Sequence, residues 1–126
     1  MIPQRPEGIG FIESFGYALF GIRESAKGRN FKVQLFCGIL AIVLGLLFHI
    51  SQVEWLVVVV CIGLVLGGEC MNTALEAVVD LASPDIHPYA KLAKDAAAGA
   101  VLCFSLSSLV LGGIIFIPKI MTLIAG

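Results

Sequence analysis

The chain has 126 residues, of which 59% are hydrophobic and only 13% charged, with a formal net charge of −1. Its mean hydropathy is +1.01. A soluble domain is nearer half apolar and a quarter charged, so the composition excludes an ordinary soluble enzyme and points to a small integral membrane protein, in which the placement of charge says more than its sum.

We read one all-α domain over residues 1–126. Residues 1–10 form a Pro/Gly-rich arm. No cleavable leader is expected, because the first thirty residues carry charges throughout. Residues 11–27 alternate Phe11, Ile12, Phe15, Leu19, Phe20 and Ile22 with Glu13, Arg23, Glu24 and Lys27, the pattern of an amphipathic helix lying on a membrane surface. With the arm, it fills residues 1–30. Residues 31–50 are the first spanning helix, long enough for a hydrocarbon core of about 30 Å. Residues 51–54 make a short turn. Residues 55–81 form the second span, opened by Trp55 as an interfacial anchor. Pro84 and Pro88 keep residues 83–88 out of a regular helix. Residues 91–117 form the third span, with Pro118 near its end.

Seven of the eight basic residues fall on one side of these spans. Arg5, Arg23, Lys27, Arg29 and Lys32 precede the first, and Lys91 and Lys94 flank the loop between the second and third. The turn between the first two spans has no Lys or Arg, and the C-terminal tail has Lys119 alone. The positive-inside rule makes the basic side cytoplasmic and puts the C-terminus outside.

The chemistry concentrates at the cytoplasmic end of the second span. Glu69, Asn72, Thr73, Glu76 and Asp80 lie three, four, seven and eleven residues from the first of them, and on a helix that spacing makes one stripe. Carboxylates near membrane depth are expensive, and they mark functional sites more often than packing, which favours Asn, Ser or Thr. Glu69 is the deeper, placed to take a proton from a hydroxyl. Glu76, about 10 Å along the helix, suits a hard cation such as Mg²⁺. Lys94-Asp95 opens the third span, where a lysine can meet phosphate or merely anchor the helix. The small residues Ala96, Ala97, Ala98, Gly99 and Ala100 permit close helix approach, which would bring Lys94 and Asp95 to the stripe. Arg29-Asn30-Phe31-Lys32 is by itself a basic interfacial cluster.

Other motifs carry less. Cys37, Cys61, Cys70 and Cys103 sit in apolar stretches without a CxxC pair and read as free thiols. Gly67-Gly68 has no adjoining Lys-Ser/Thr, so there is no Walker loop. His49 and His87 fall on opposite sides and do not form a metal pair. A small oligomeric channel with a carboxylate-lined cation path is the rival reading. Against it, residues 55–67 hold no ionisable group except Cys61.

The run Glu69-x-x-Asn72-Thr73-Ala74-x-Glu76-x-x-Val79-Asp80, followed by Ser83-Pro84-x-x-His87-Pro88-x-Ala90-x-x-Ala93-Lys94-Asp95, resembles the signature of the prokaryotic diacylglycerol kinase family. The resemblance extends back through Arg29-Asn30-Phe31-Lys32 to Gly21 and Tyr17-Ala18. Asn30-Phe31-Lys32 and the Asp85-Ile86-His87-Pro88 loop are more similar to the Gram-positive branch, whose members phosphorylate undecaprenol, than to the branch acting on diacylglycerol. It implies a homotrimer of three-span subunits in the bacterial plasma membrane, using ATP and Mg²⁺ to phosphorylate a lipid alcohol at the cytoplasmic face. Undecaprenol is the first substrate expected and diacylglycerol the second; no nucleic acid partner is expected. By position, the resemblance implies Glu69 as catalytic base with Asn72 in support and Glu76 as metal ligand at the nucleotide. It puts Asp85, Ile86, His87, Lys94 and Asp95 on the nucleotide, with Tyr17 beside them. One departure stands out. The family carries a metal-binding glutamate directly before Arg-Asn, and here Gly28 holds that position, in a stretch one residue short. Either Glu24 substitutes, or the metal rests on Glu76 and ATP phosphates, or the chain is catalytically impaired.

Overall fold

The computed structural model describes residues 6–126; the start of the N-terminal arm, with Arg5 of the basic count, lies outside the described residues. Among the described residues four α-helices follow in order: α1 (Phe11–Ser25), α2 (Arg29–Leu47), α3 (Gln52–Ala82) and α4 (Pro88–Ala125). The last three are long and apolar enough to cross a membrane. Most large apolar side chains along them are exposed, and among the described residues no side chain is fully buried. Such a surface needs lipid or protein against it, and this is a membrane protein.

The helix ends depart from the expected ones for local reasons. α2 stops at Leu47, not at residue 50, because His49 takes a left-handed φ of 51°. The Ile50 N–H then bonds back to the Gly45 carbonyl at 3.2 Å, closing a Schellman turn. α3 begins at Gln52, before Trp55, because Ser51 and Glu54 form a capping box. α4 begins at Pro88, before the expected residue 91: a proline suits the first helical position, where its missing N–H costs nothing. His87, expected in the loop, caps that helix through Nδ1, which accepts from the Tyr89 N–H at 3.1 Å. Nor does Pro118 end α4, which runs through it to Ala125. Beside that proline the Lys119 ammonium bonds the Ile115 carbonyl, and the Thr122 hydroxyl bonds the Pro118 carbonyl.

α3 and α4 pair antiparallel along most of their length, and α2 and α1 pack on α3. Call the turn at residues 48–51 the upper end and the loop at 83–87 the lower. An ion pair closes α3 on α4 at each end: Glu54–Lys119 above, at 2.7 Å, and Asp80–Lys94 below, at 2.6 Å. Between them a Cβ on Gly68 would stand 2.9 Å from the Phe104 ring, so α3 meets that ring through a glycine. α2 approaches α3 the same way, at Gly38 against Ile62 and at Gly45 against Trp55 and Ile50. A hydrogen bond from Gln34 to the Ser105 hydroxyl ties α2 to α4. The buried cluster of Ile50, Val58, Ile115 and Phe116 lies at the upper end.

These contacts set the levels. At 1.5 Å per residue, the 19 residues of α2 span about 28 Å, the 31 of α3 about 46 Å and the 38 of α4 about 57 Å. Gln34, Gly68 and Ser105 share one level, so Glu69 stands level with the first turns of α2. The start of α2 falls near residue 73 of α3, and the α3–α4 hairpin continues about 13 Å below it.

Candidate functional site

The polar stripe of α3 crosses that lower boundary. Glu69 follows Val58 and Val65 on the inward face of the helix and is only 5% exposed. Its Oε1 is buried with no hydrogen-bond partner. An unpaired buried carboxylate oxygen is costly, which makes Glu69 the candidate here for receiving a proton or a donor. Below it, the Asn72 amide donates to Glu76 Oε1 at 3.0 Å, one turn on, while Asn72 Oδ1 is buried and unpartnered. The Thr73 hydroxyl donates to the Glu69 carbonyl, so Thr73 is spent on the backbone. Glu76 and Asp80 are exposed.

The lower hairpin carries the remaining charges. Lys94 reaches across to Asp80, which brings the third span's lysine to the stripe. Asp95 does not join it: its carboxylate pairs with Lys91 on the same exposed helix face. Asp85 and Ile86 sit at the loop tip, Ile86 fully exposed, and the Ser83 hydroxyl bonds the Asp85 carbonyl. The His87 ring stacks on Tyr89 at 5.7 Å while capping α4. Tyr17 is half-buried on α1, the helix packed against α3.

Glu24 pairs with Lys27 at 2.9 Å on the last turn of α1. Gly28 is the N-cap of α2, with φ −71° and ψ 144°. That backbone accepts any residue, and a Cβ there would stand 3.4 Å from the Ser25 carbonyl oxygen, in ordinary contact. Among the described residues no three acidic, His or Cys side chains converge into a metal cluster. What is present is the exposed Glu76 carboxylate, with Oε1 taken by the Asn72 amide; Asn72 Oδ1 is itself buried. Mg²⁺ is held by one or two carboxylates together with water and substrate phosphates, and this donor set fits that use.

Two cross-helix links escaped the sequence reading. Gln34–Ser105 joins residues 71 apart, and Glu54–Lys119 joins residues 65 apart. The second left a trace: Ser51-Gln52-Val53-Glu54 is a capping-box pattern, and it fixes where Glu54 begins its helix.

A family model described as prokaryotic diacylglycerol kinase matches residues 16–116, from before Tyr17 to past Lys94 and Ser105 of α4 but short of Lys119. The chain is 41% identical over 111 residues to an undecaprenol kinase of Bacillus subtilis, covering 87% of this chain and 90% of that one. It is 38% identical over 114 residues to a diacylglycerol kinase of Synechocystis, covering 89% of this chain and 65% of that one. A diacylglycerol kinase of Haemophilus influenzae is 28% identical over 107 residues, covering 83% and 91%.

Proposed function

The chain belongs to the prokaryotic diacylglycerol kinase family and is a membrane lipid kinase, and we propose that it phosphorylates undecaprenol with ATP at the cytoplasmic face of the bacterial plasma membrane. The substrate reading rests on the similarity to the undecaprenol kinase; the site reading rests on one observation, the buried, unpartnered carboxylate oxygen of Glu69.

The lower end is then cytoplasmic, in keeping with the basic residues at that end, and α1 lies on the membrane with Phe11, Phe15, Leu19 and Ile22, all exposed, turned to lipid. The whole chain acts as one domain, and three copies assemble, as the resemblance to the family implies. The lipid hydroxyl meets Glu69 at the lower boundary. Glu69 takes its proton as the alcohol oxygen bonds to the γ-phosphorus; the bond to the β,γ-bridging oxygen breaks and ADP leaves with that electron pair. Glu69 later returns the proton to solvent. Asn72 holds the Glu76 carboxylate in place. Lys94, swung from Asp80, meets phosphate oxygens, and Asp85, Ile86, His87, Asp95 and Tyr17 surround the nucleotide. Mg²⁺, held by Glu76 with Glu24 as the candidate second carboxylate, would supply charge neutralisation on the phosphates. Phosphoryl transfer asks mainly for such positioning and neutralisation.

The test is a radiolabelled ATP assay on purified protein, offering undecaprenol and diacylglycerol separately. Faster labelling of undecaprenol is expected. Preference for diacylglycerol would reverse the substrate assignment, and no labelling of either would leave a catalytically impaired family member.

A further inference from the structure

One large cavity lies outside the site just described. It is an open apolar groove of about 640 Å³ walled by α2 and α4 and floored by α3. Its floor includes Val58, Ile62 and Val65, and the next inward residue of that same α3 stripe is Glu69. Its polar atoms lie on Gln34, Ser105 and Ser108, and the Gln34–Ser105 hydrogen bond crosses at the level of Gly68, one residue from Glu69. From there the groove runs upward between Leu40 and Leu109 to the buried cluster near Phe116.

We infer that this groove holds the first part of the hydrocarbon chain of the lipid alcohol whose hydroxyl meets Glu69. The inference rests on the lipid-kinase reading and deepens it. A hydroxyl at the lower boundary obliges its chain to run into the hydrocarbon, and the groove begins at that level and follows that direction. A smaller groove of about 330 Å³ lies between α3 and α4, lined by Gly63, Gly67, Asn72 and Phe104; the larger one, with two helices for walls, is the one whose floor continues the inward stripe to Glu69. Gln34 and Ser105 mark the passage from headgroup to chain, where a polar rim over an apolar trough matches an amphiphile.

Two residues of the lining give the test, with Cys103 outside it as the control. Cys37 lines the groove and is exposed, whereas Cys103 is exposed but does not line it. A Cβ on Gly112, also in the lining, meets open space, so Gly112→Phe can be used to put a ring into the groove. By helical rise, Gly112 stands about 12 Å above the Glu69 level. The protein in nanodiscs is labelled with a membrane-permeant maleimide, with and without undecaprenol, and each thiol is read by mass spectrometry. Undecaprenol should slow Cys37 labelling at least fivefold beyond the protection given by nanodisc lipid and leave Cys103 unchanged. Gly112→Phe should abolish that protection and raise KM for undecaprenol about tenfold. Equal labelling of Cys37 with and without undecaprenol, in protein that still phosphorylates it, overturns the inference. So does protection already present without undecaprenol and lost on dissociation into single subunits, which would give the groove to a second copy. If the parent phosphorylates no lipid yet undecaprenol still protects Cys37, the groove stands and the kinase reading of this chain fails instead.

Discussion

Glu69 is where local sequence and buried chemistry meet. Its substitution by Gln keeps the shape but removes the proton acceptor. Loss of a general base is worth about 10²–10⁴-fold in rate, so Glu69→Gln should lose most turnover while ATP affinity and subunit assembly stay near the parent's. A variant that turns over normally would remove the base from this position. Gly28 makes the second argument at this scale. Its extended backbone and open Cβ direction would accept a glutamate, while Glu24 is held by Lys27. If the metal rests on Glu76 alone, the parent needs more Mg²⁺, and Gly28→Glu should lower that need severalfold. Glu24→Gln should remove residual activity if Glu24 is the substitute ligand. Rate measured against Mg²⁺ for the parent and both variants separates these cases; curves that coincide place the metal elsewhere. The stripe from Glu69 to Asp80 was legible in the sequence because its geometry is internal to one helix. The choice of Lys94 over Asp95 as the residue facing it was not, because that depends on the rotation of α4 against α3. Asp95 finds Lys91 four residues back instead.

At the scale of the helix, glycines decide the approach. A Cβ on Gly45 would lie 2.7 Å from the Trp55 ring, closer than real contacts allow, and 3.0 Å from Ile50, which is tight. Gly45→Ala should therefore destabilise the α2–α3 turn by about 1–3 kcal/mol, the usual cost of overpacking. Thermal unfolding in detergent reads the change. An unchanged midpoint would show that the turn yields. Gly63→Ala, whose Cβ meets open space, is the control. Four helices, three of them spans, were legible from the alternation of apolar runs with polar breaks. Their ends were not. Apolar periodicity says nothing of a histidine in a left-handed conformation, and it reads a proline as a stop, although Pro88 starts α4 and Pro118 sits inside it.

For the whole molecule, the orientation proposed from the basic residues puts the N-terminus and the 83–87 loop on the same, cytoplasmic side. A reporter active only in the cytoplasm, fused after Gly126, should be silent. A signal there would mean the opposite orientation and would part the lower hairpin from cellular ATP. Of the two ion pairs of α3 and α4, only the lower was foreshadowed, as Lys94 beside the stripe; Glu54–Lys119 joins helices whose register no local pattern records. The two ion pairs leave α2 as the one short member, about 28 Å against the longer pair. α3 and α4 have length to spare in any bilayer, so a change in hydrocarbon thickness falls on α2 alone, and mismatch costs fractions of a kcal/mol per ångström. Its first turns stand level with Glu69, so a thicker membrane that drew Arg29 inward would also draw the carboxylate away from the phosphates that must reach it. Turnover should thus follow the acyl length of the host lipids, with an optimum where the bilayer matches the shortest helix, and the enzyme would serve as a gauge of the membrane it works in.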